Sequence, residues 1–168
     1  MHKAIRERRI RGRGTVGKRI VHGLLQRGGE MRANVIDAAD ASAIHAIIHK
    51  NVEPGAAVFS DESTAYAGLD RQFVHEAVNH AEQYVRGQVH TNGVENFWSL
   101  FKRCLKGTYV HMAPLHLQLY VTEEVFRFNA RKTNDKGRFD QVMGQTVGRR
   151  LTHRQLCETD GCGFVGLE

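Results

Sequence analysis

At 168 residues, with an ordinary apolar fraction and a net charge of +6, the chain has room for one domain with a real core, and its composition excludes wholesale disorder. No apolar run approaches the roughly 20 residues needed to cross a bilayer, and the opening residues do not read as a charged-then-apolar leader; a cytoplasmic protein is expected. Cys104, Cys157 and Cys162 are an odd count and read as reduced thiols, while the spacing of Cys157 and Cys162 near His153 does not suit a zinc knuckle.

The chain opens on a basic arm. Lys3, Arg6, Arg8, Arg9, Arg11, Arg13, Lys18 and Arg19 stand against Glu7 alone, with Gly12, Gly14 and Gly17 among them. Such a segment suits a polyanion whose phosphates release counterions on binding, although a solvated basic end that binds nothing has the same composition. Arg19 to Gln26 is a short strand-like run, Arg27-Gly28-Gly29-Glu30 a turn, and Met31 to Ile36 alternates as the returning strand of a hairpin. Asp40 or Ser42 is placed to cap a helix over Ala41 to Lys50, in which Ile44, Ile47 and Ile48 recur at helical spacing.

Pro54-Gly55 marks a turn before a strand at Ala56 to Phe59. Ser63 to Leu69 reads as a helix with Tyr66 and Leu69 inward, Phe73 to Val78 as a weaker strand, and Asn79 to Gly87 as a polar loop. Val94, Phe97, Trp98, Phe101 and Leu105 form an apolar stripe on a helix that ends before Gly107, and Trp98 falls on its inward side. Pro114 opens a further helix with Leu115, Leu119, Tyr120, Val125 and Phe126 as inward candidates. Beyond Thr133 the signals weaken, with Arg149-Arg150-Leu151 as a start for one last short element. The order of elements predicts an α/β fold with a sheet covered by helices.

Two carboxylates stand out. Asp61 follows a strand, where an aspartate serves equally as a turn cap. Glu95 falls three residues after Asn92, as in a capping box, and at the positive end of its helix. Acids projecting from a strand end and a helix can also share divalent metal for phosphoryl transfer, and hard oxygen ligands select Mg²⁺ or Mn²⁺ over zinc. Lys102 lies two turns beyond Glu95 on the same face, too far for an ordinary intrahelical pair, and reads as a solvated cation or a phosphate contact. His90 leads directly into the Asn92–Glu95 segment, while His75, His80, His111 and His116 show no metal-ligand spacing.

His90-Thr91-Asn92-Gly93-Val94-Glu95-Asn96-Phe97-Trp98-Ser99, followed by Phe101-Lys102-Arg103 and Gly107-Thr108-Tyr109, resembles the DDE domain of ISXO-type insertion-sequence transposases. The likeness extends over Arg11-Gly12-Arg13-Gly14, Ser60-Asp61, Val78-Asn79-His80, Tyr84-Val85, Phe126-Arg127-Phe128-Asn129-Ala130-Arg131 and Arg150-Leu151-Thr152. It implies a ribonuclease H-like mixed sheet flanked by helices, with Asp61 as the second catalytic acid, Glu95 as the third and Lys102 as the accompanying base. It further implies Mg²⁺ or Mn²⁺ held by Asp61 and Glu95, and DNA as partner, bound through Arg11, Arg13, His90, Asn92, Lys102 and Arg103. Such a protein would be nucleoid-associated when on DNA, and would act as a homo-oligomer or beside full-length transposase subunits.

The expected division is a basic arm over 1–19, the transposase domain over 20–156 and a tail over 157–168. One departure is clear: the family's first aspartate, on an opening strand before the basic segment, has no counterpart, and Asp37 and Asp40 come too late in the order to replace it. The expectation is therefore an amino-terminally truncated domain, its first strand missing, marginally stable and catalytically impaired. The rival expectation is a non-catalytic DNA-binding or regulatory remnant that competes for transposon ends.

Overall fold

The computed structural model describes residues 18–78, 92–109, 112–153 and 155. β1 (Ile20–Leu25) and β2 (Met31–Ile36) pair antiparallel, Val21 opposite Val35 and Leu25 opposite Met31. Gly28 sits in the connecting turn at φ 70°, a left-handed conformation that glycine adopts without steric cost. The hairpin's side chains alternate between two cores, as a period of two requires. Val21, Leu25, Met31, Ala33 and Val35 go to one, together with Phe97, Phe101, Leu117, Val121 and Phe128. Leu24 goes to the other, with Ile44, Ile48, Ala65, Leu69 and Phe73.

The second core is built on α1 (Ala41–Asn51), which Asp40 caps by accepting the Ala43 N–H at 2.8 Å. Asp40 is thus occupied structurally, and Asp37 stands 3.8 Å from Arg19. β3 (Ala57–Ser60) and β4 (Val74–Ala77) pair in parallel, Ser60 opposite Ala77. The helix expected over Ser63 to Leu69 is not formed. Two 3-10 turns, Thr64–Tyr66 and Leu69–Arg71, take its place. Gly68 between them lies at φ +88°, and a left-handed residue cannot continue a right-handed helix.

α2 (Asn92–Gly107) and α3 (Leu117–Asn129) cover the first face of the hairpin. Asn92 is itself the first helical residue, so the capping position expected for it falls on residue 91, outside the described residues. A 3-10 turn at Pro114–His116 precedes α3, which shifts the inward stripe: Leu115 is exposed, while Leu117, Val121, Glu124 and Phe128 are buried. The polar loop expected at Asn79 to Gly87 lies outside the described residues.

The weak signals beyond Thr133 conceal α4 (Asp135–Thr146), capped by Asn134 through the Gly137 N–H at 2.8 Å. None of its residues is buried, so its apolar positions carry no core periodicity to read. The architecture is mixed α/β, among the described residues two two-stranded sheets with helices packed around them. Among the described residues no helix is long and apolar enough to cross a membrane.

One sheet edge is sealed by side chains. Met31 N–H donates to Asn129 Oδ1 at 2.8 Å, and Asn129 Nδ2 donates to the Met31 carbonyl at 3.0 Å. Further along β2, Val35 N–H donates to Gln118 Oε1 at 2.7 Å. Two amides of α3 therefore occupy the outward backbone groups of Met31 and the Val35 N–H, at the two ends of an edge that would otherwise offer a template for another strand.

Candidate metal and nucleic-acid site

β3 ends on a buried serine, and the chain turns at the exposed Asp61. Ser60 Oγ donates to the Asp61 carbonyl at 2.8 Å and lies 2.8 Å from His75 Nε2 on β4. Asp61 Oδ1 accepts the Ser63 N–H at 3.2 Å, so the turn-capping role that an aspartate commonly plays is present here. Tyr66, on the first 3-10 turn, packs between two histidines, its ring centroid 6.4 Å from that of His22 and 6.4 Å from that of His75. Its hydroxyl lies 3.5 Å from His22 Nε2. Burial, and then the charge of Asp61, push the Tyr66 hydroxyl up, which keeps it a neutral donor.

Burial pushes the His22 imidazole below its ordinary value of 6.5. Near and below pH 6.5 the unfolded chain therefore takes up a proton that the folded chain refuses. The stabilisation is complete above 6.5 and is lost as the pH falls from there towards the folded value. The slope from this one group stays below the one-proton limit of about 1.4 kcal/mol per pH unit. Urea unfolding between pH 7.5 and 5 measures it. His22→Leu should flatten that part of the curve, and an unchanged slope in the variant would assign it to other histidines.

On α2, Phe97 and Phe101 are buried, and Gly93 and Trp98 lie against the hairpin. A Cβ at Gly93 would come within 2.5 Å of Leu25 Cδ2, so the start of the helix fits closely against the end of β1. With that face turned inward, Glu95, Lys102 and Arg103 are exposed. Seven residues turn a helix by about 700°, which returns Lys102 to within roughly 20° of Glu95. Asn92 is exposed on the first turn. Arg11, Arg13 and His90 lie outside the described residues.

Among the described residues, no group of three or more His, Cys, Asp or Glu side chains comes close enough to hold a metal ion. Asp61 and Glu95 therefore belong to no such group. In kind they still fit Mg²⁺ or Mn²⁺, because both are hard oxygen donors at solvent-exposed positions where the ion can keep part of its water shell.

Two groupings escape the sequence reading. Glu124 is 7 % exposed on α3, accepting from the Tyr109 hydroxyl at 3.3 Å, with Arg127 Nε at 3.9 Å. Although burial opposes it, the hydrogen-bonded Arg127 guanidinium holds the neighbouring Glu123 below the usual carboxylate range. Burial and the adjacent carboxylates push Tyr109 up, and burial followed by the hydrogen bond with Glu124 does the same to the Cys104 thiol. A thiol so shifted is a poor nucleophile, and the cluster ties the end of α2 to α3. Of this cluster only the i, i+4 spacing of Glu123 and Arg127 is legible in the sequence.

The second grouping is His45 and His49, one turn apart on α1. With Gly68, Arg71 and Gln72 they line a cavity of about 350 Å³. The i, i+4 spacing is legible in the sequence. No carboxylate or thiol lines the cavity, and the Arg71 guanidinium opposes a cation.

The fold and these residues define a basic, mixed α/β protein with exposed acids at a strand end and on a helix. Residues 2–129 match the ISXO2-like transposase domain, and the chain belongs to that family. The matched region ends at the last residue of α3, so α4 lies beyond it. No curated protein and no solved structure matches the chain.

Proposed function

We propose that this chain is a DNA-transposition domain of ribonuclease H-like fold, in which Asp61 and Glu95 hold Mg²⁺ or Mn²⁺ for cleavage and strand transfer at insertion-sequence ends. Family membership over residues 2–129 carries the reading. The strand pattern supports it. Among the described residues β1 pairs with β2 alone and β3 with β4 alone. Arg27 over the Phe59 ring at 4.8 Å, and Tyr66 beside His22, link the elements around the two pairs.

When bound, the metal polarises phosphate oxygens and lowers the pKa of coordinated water. The protein's part is positioning and charge. Asp61 and Glu95 supply oxygens, while Lys102 and Arg103 neutralise phosphate beside them. Asn92 and His90 contact the backbone near the start of α2, and Arg11 and Arg13 track the duplex from the basic arm. The arm occupies 1–19, the transposase domain 20–156 and a tail 157–168.

In this reading two acids alone grip the ion weakly, and catalysis by this chain alone is impaired. The alternative reading is a DNA-binding or regulatory protein that occupies transposon ends or joins catalytically complete subunits.

Mg²⁺- or Mn²⁺-dependent nicking and strand transfer on DNA carrying the element's ends tests both readings. Little or no activity is expected, together with DNA binding whose logarithm falls linearly with log salt. Arg11→Ala and Arg13→Ala should each reduce that slope by about 1. Robust cleavage lost in Asp61→Asn and in Glu95→Gln would overturn the impairment while upholding the two acids. Cleavage indifferent to both substitutions would remove them from the site.

A further inference from the structure

Ser60 has one hydroxyl proton, and in the structure it goes to the Asp61 carbonyl at 2.8 Å. His75 Nε2 lies 2.8 Å from the same Oγ. The Asp61 carbonyl can only accept, so both contacts are hydrogen bonds only when the Ser60 hydroxyl donates to it and the imidazole donates from Nε2, and the network assigns that tautomer to His75. Pairing of Ser60 with Ala77 and of Val58 with His75 places Ser60 and His75 diagonally on one face of the β3–β4 pair. Ser60 is buried, and the Tyr66 ring packs beside His75. From the other side, the Ser63 N–H holds Asp61 Oδ1. The backbone and the carboxylate of Asp61 are therefore fixed by two separate bonds, and the first depends on a histidine fourteen positions along the chain.

We propose that His75 is a positioning residue for Asp61. Through Ser60 it fixes the peptide from which the Asp61 carboxylate projects, and so sets how well that carboxylate binds a divalent cation. The proposal rests on the reading that Asp61 is a metal ligand. Residues that orient a ligand from behind typically alter metal affinity by roughly 10–100-fold. With Asp61 itself exposed, the lower end of that range is the expectation.

The test titrates Mn²⁺ alone into the full chain and reads the free ion by electron paramagnetic resonance, with a thermal melt of each variant alongside. Ser60→Ala and His75→Phe should weaken Mn²⁺ binding roughly tenfold. His75→Gln, whose amide N–H can reach the same Oγ, should stay within about twofold of the unmodified chain. A role limited to stability would move the melts and leave Mn²⁺ affinity where it was.

Unchanged affinity in His75→Phe, with binding lost in Asp61→Asn, would overturn the positioning role and leave the metal reading intact. Unchanged affinity in Asp61→Asn would overturn the metal reading and the positioning role with it. Long-range ¹⁵N–¹H spectra of the His75 ring provide a check that needs no variant. A proton on Nε2 supports the proposal, and a neutral ring protonated on Nδ1 overturns it whatever the variants do.

Discussion

Phe97→Ala is expected to destabilise the protein by about 3–5 kcal/mol, much of the roughly 5–15 kcal/mol available to a domain. Phe97 is 1 % exposed and touches rings on two helices: Trp98 at 4.9 Å, Phe101 stacked at 6.2 Å and Phe128 edge-on at 5.4 Å. The same core contains Met31 and Ala33 of the hairpin and Val121 of α3. A cavity walled by three elements cannot close by moving any one of them, so both lost transfer energy and lost contacts count. Urea unfolding measures the effect, and a loss below about 1 kcal/mol would mean that the core collapses around the gap. Phe139→Ala is the matched control. Phe139 is 63 % exposed on α4, and its removal should change stability by no more than about 0.5 kcal/mol.

Asn129→Leu is expected to cost about 2–4 kcal/mol. Leucine keeps much of the volume but returns neither hydrogen bond to Met31, and each backbone group left without its partner costs about 1–3 kcal/mol. Asn129→Asp retains an acceptor for the Met31 N–H and loses the donor to its carbonyl, so it should fall between the leucine variant and the unmodified chain. Hydrogen exchange at the Met31 amide distinguishes the variants, fast in Asn129→Leu and slower in Asn129→Asp. The leucine variant should also scatter more light on concentration, because the freed edge of β2 can recruit a strand from another molecule. Slow exchange at Met31 in Asn129→Leu would show that something other than this amide covers the edge.

The chain writes its local structure plainly where one periodicity dominates. Alternation from Ile20 to Ile36 marked the hairpin, whose second strand begins and ends at the residues expected. Asp40 caps α1 as expected. The stripe of Phe97, Trp98 and Phe101 marked the face of α2 turned to the hairpin, and thereby the face on which Glu95 and Lys102 stand. The misread elements are those whose conformation or exposure has no local signal. The helix-like run breaks at Ala67, which is extended at ψ 133°, and at the left-handed Gly68, no residue of α4 is buried, and Leu115 stays outside because the chain enters α3 through a 3-10 turn.

By itself, then, the sequence determined the strands, the main helices and the family, since periodicity and motif both lie in neighbouring residues. Tertiary structure decided which polar groups meet. Asn129 reaches Met31 across ninety-eight positions, and His75 reaches Ser60 across fifteen. Glu124 lies on a buried stripe that hydropathy would fill with an apolar side chain. A hydrogen bond is won or lost over less than an ångström. Its partners are therefore set by how the helices and strands pack, which the spacing of residues along one element does not record.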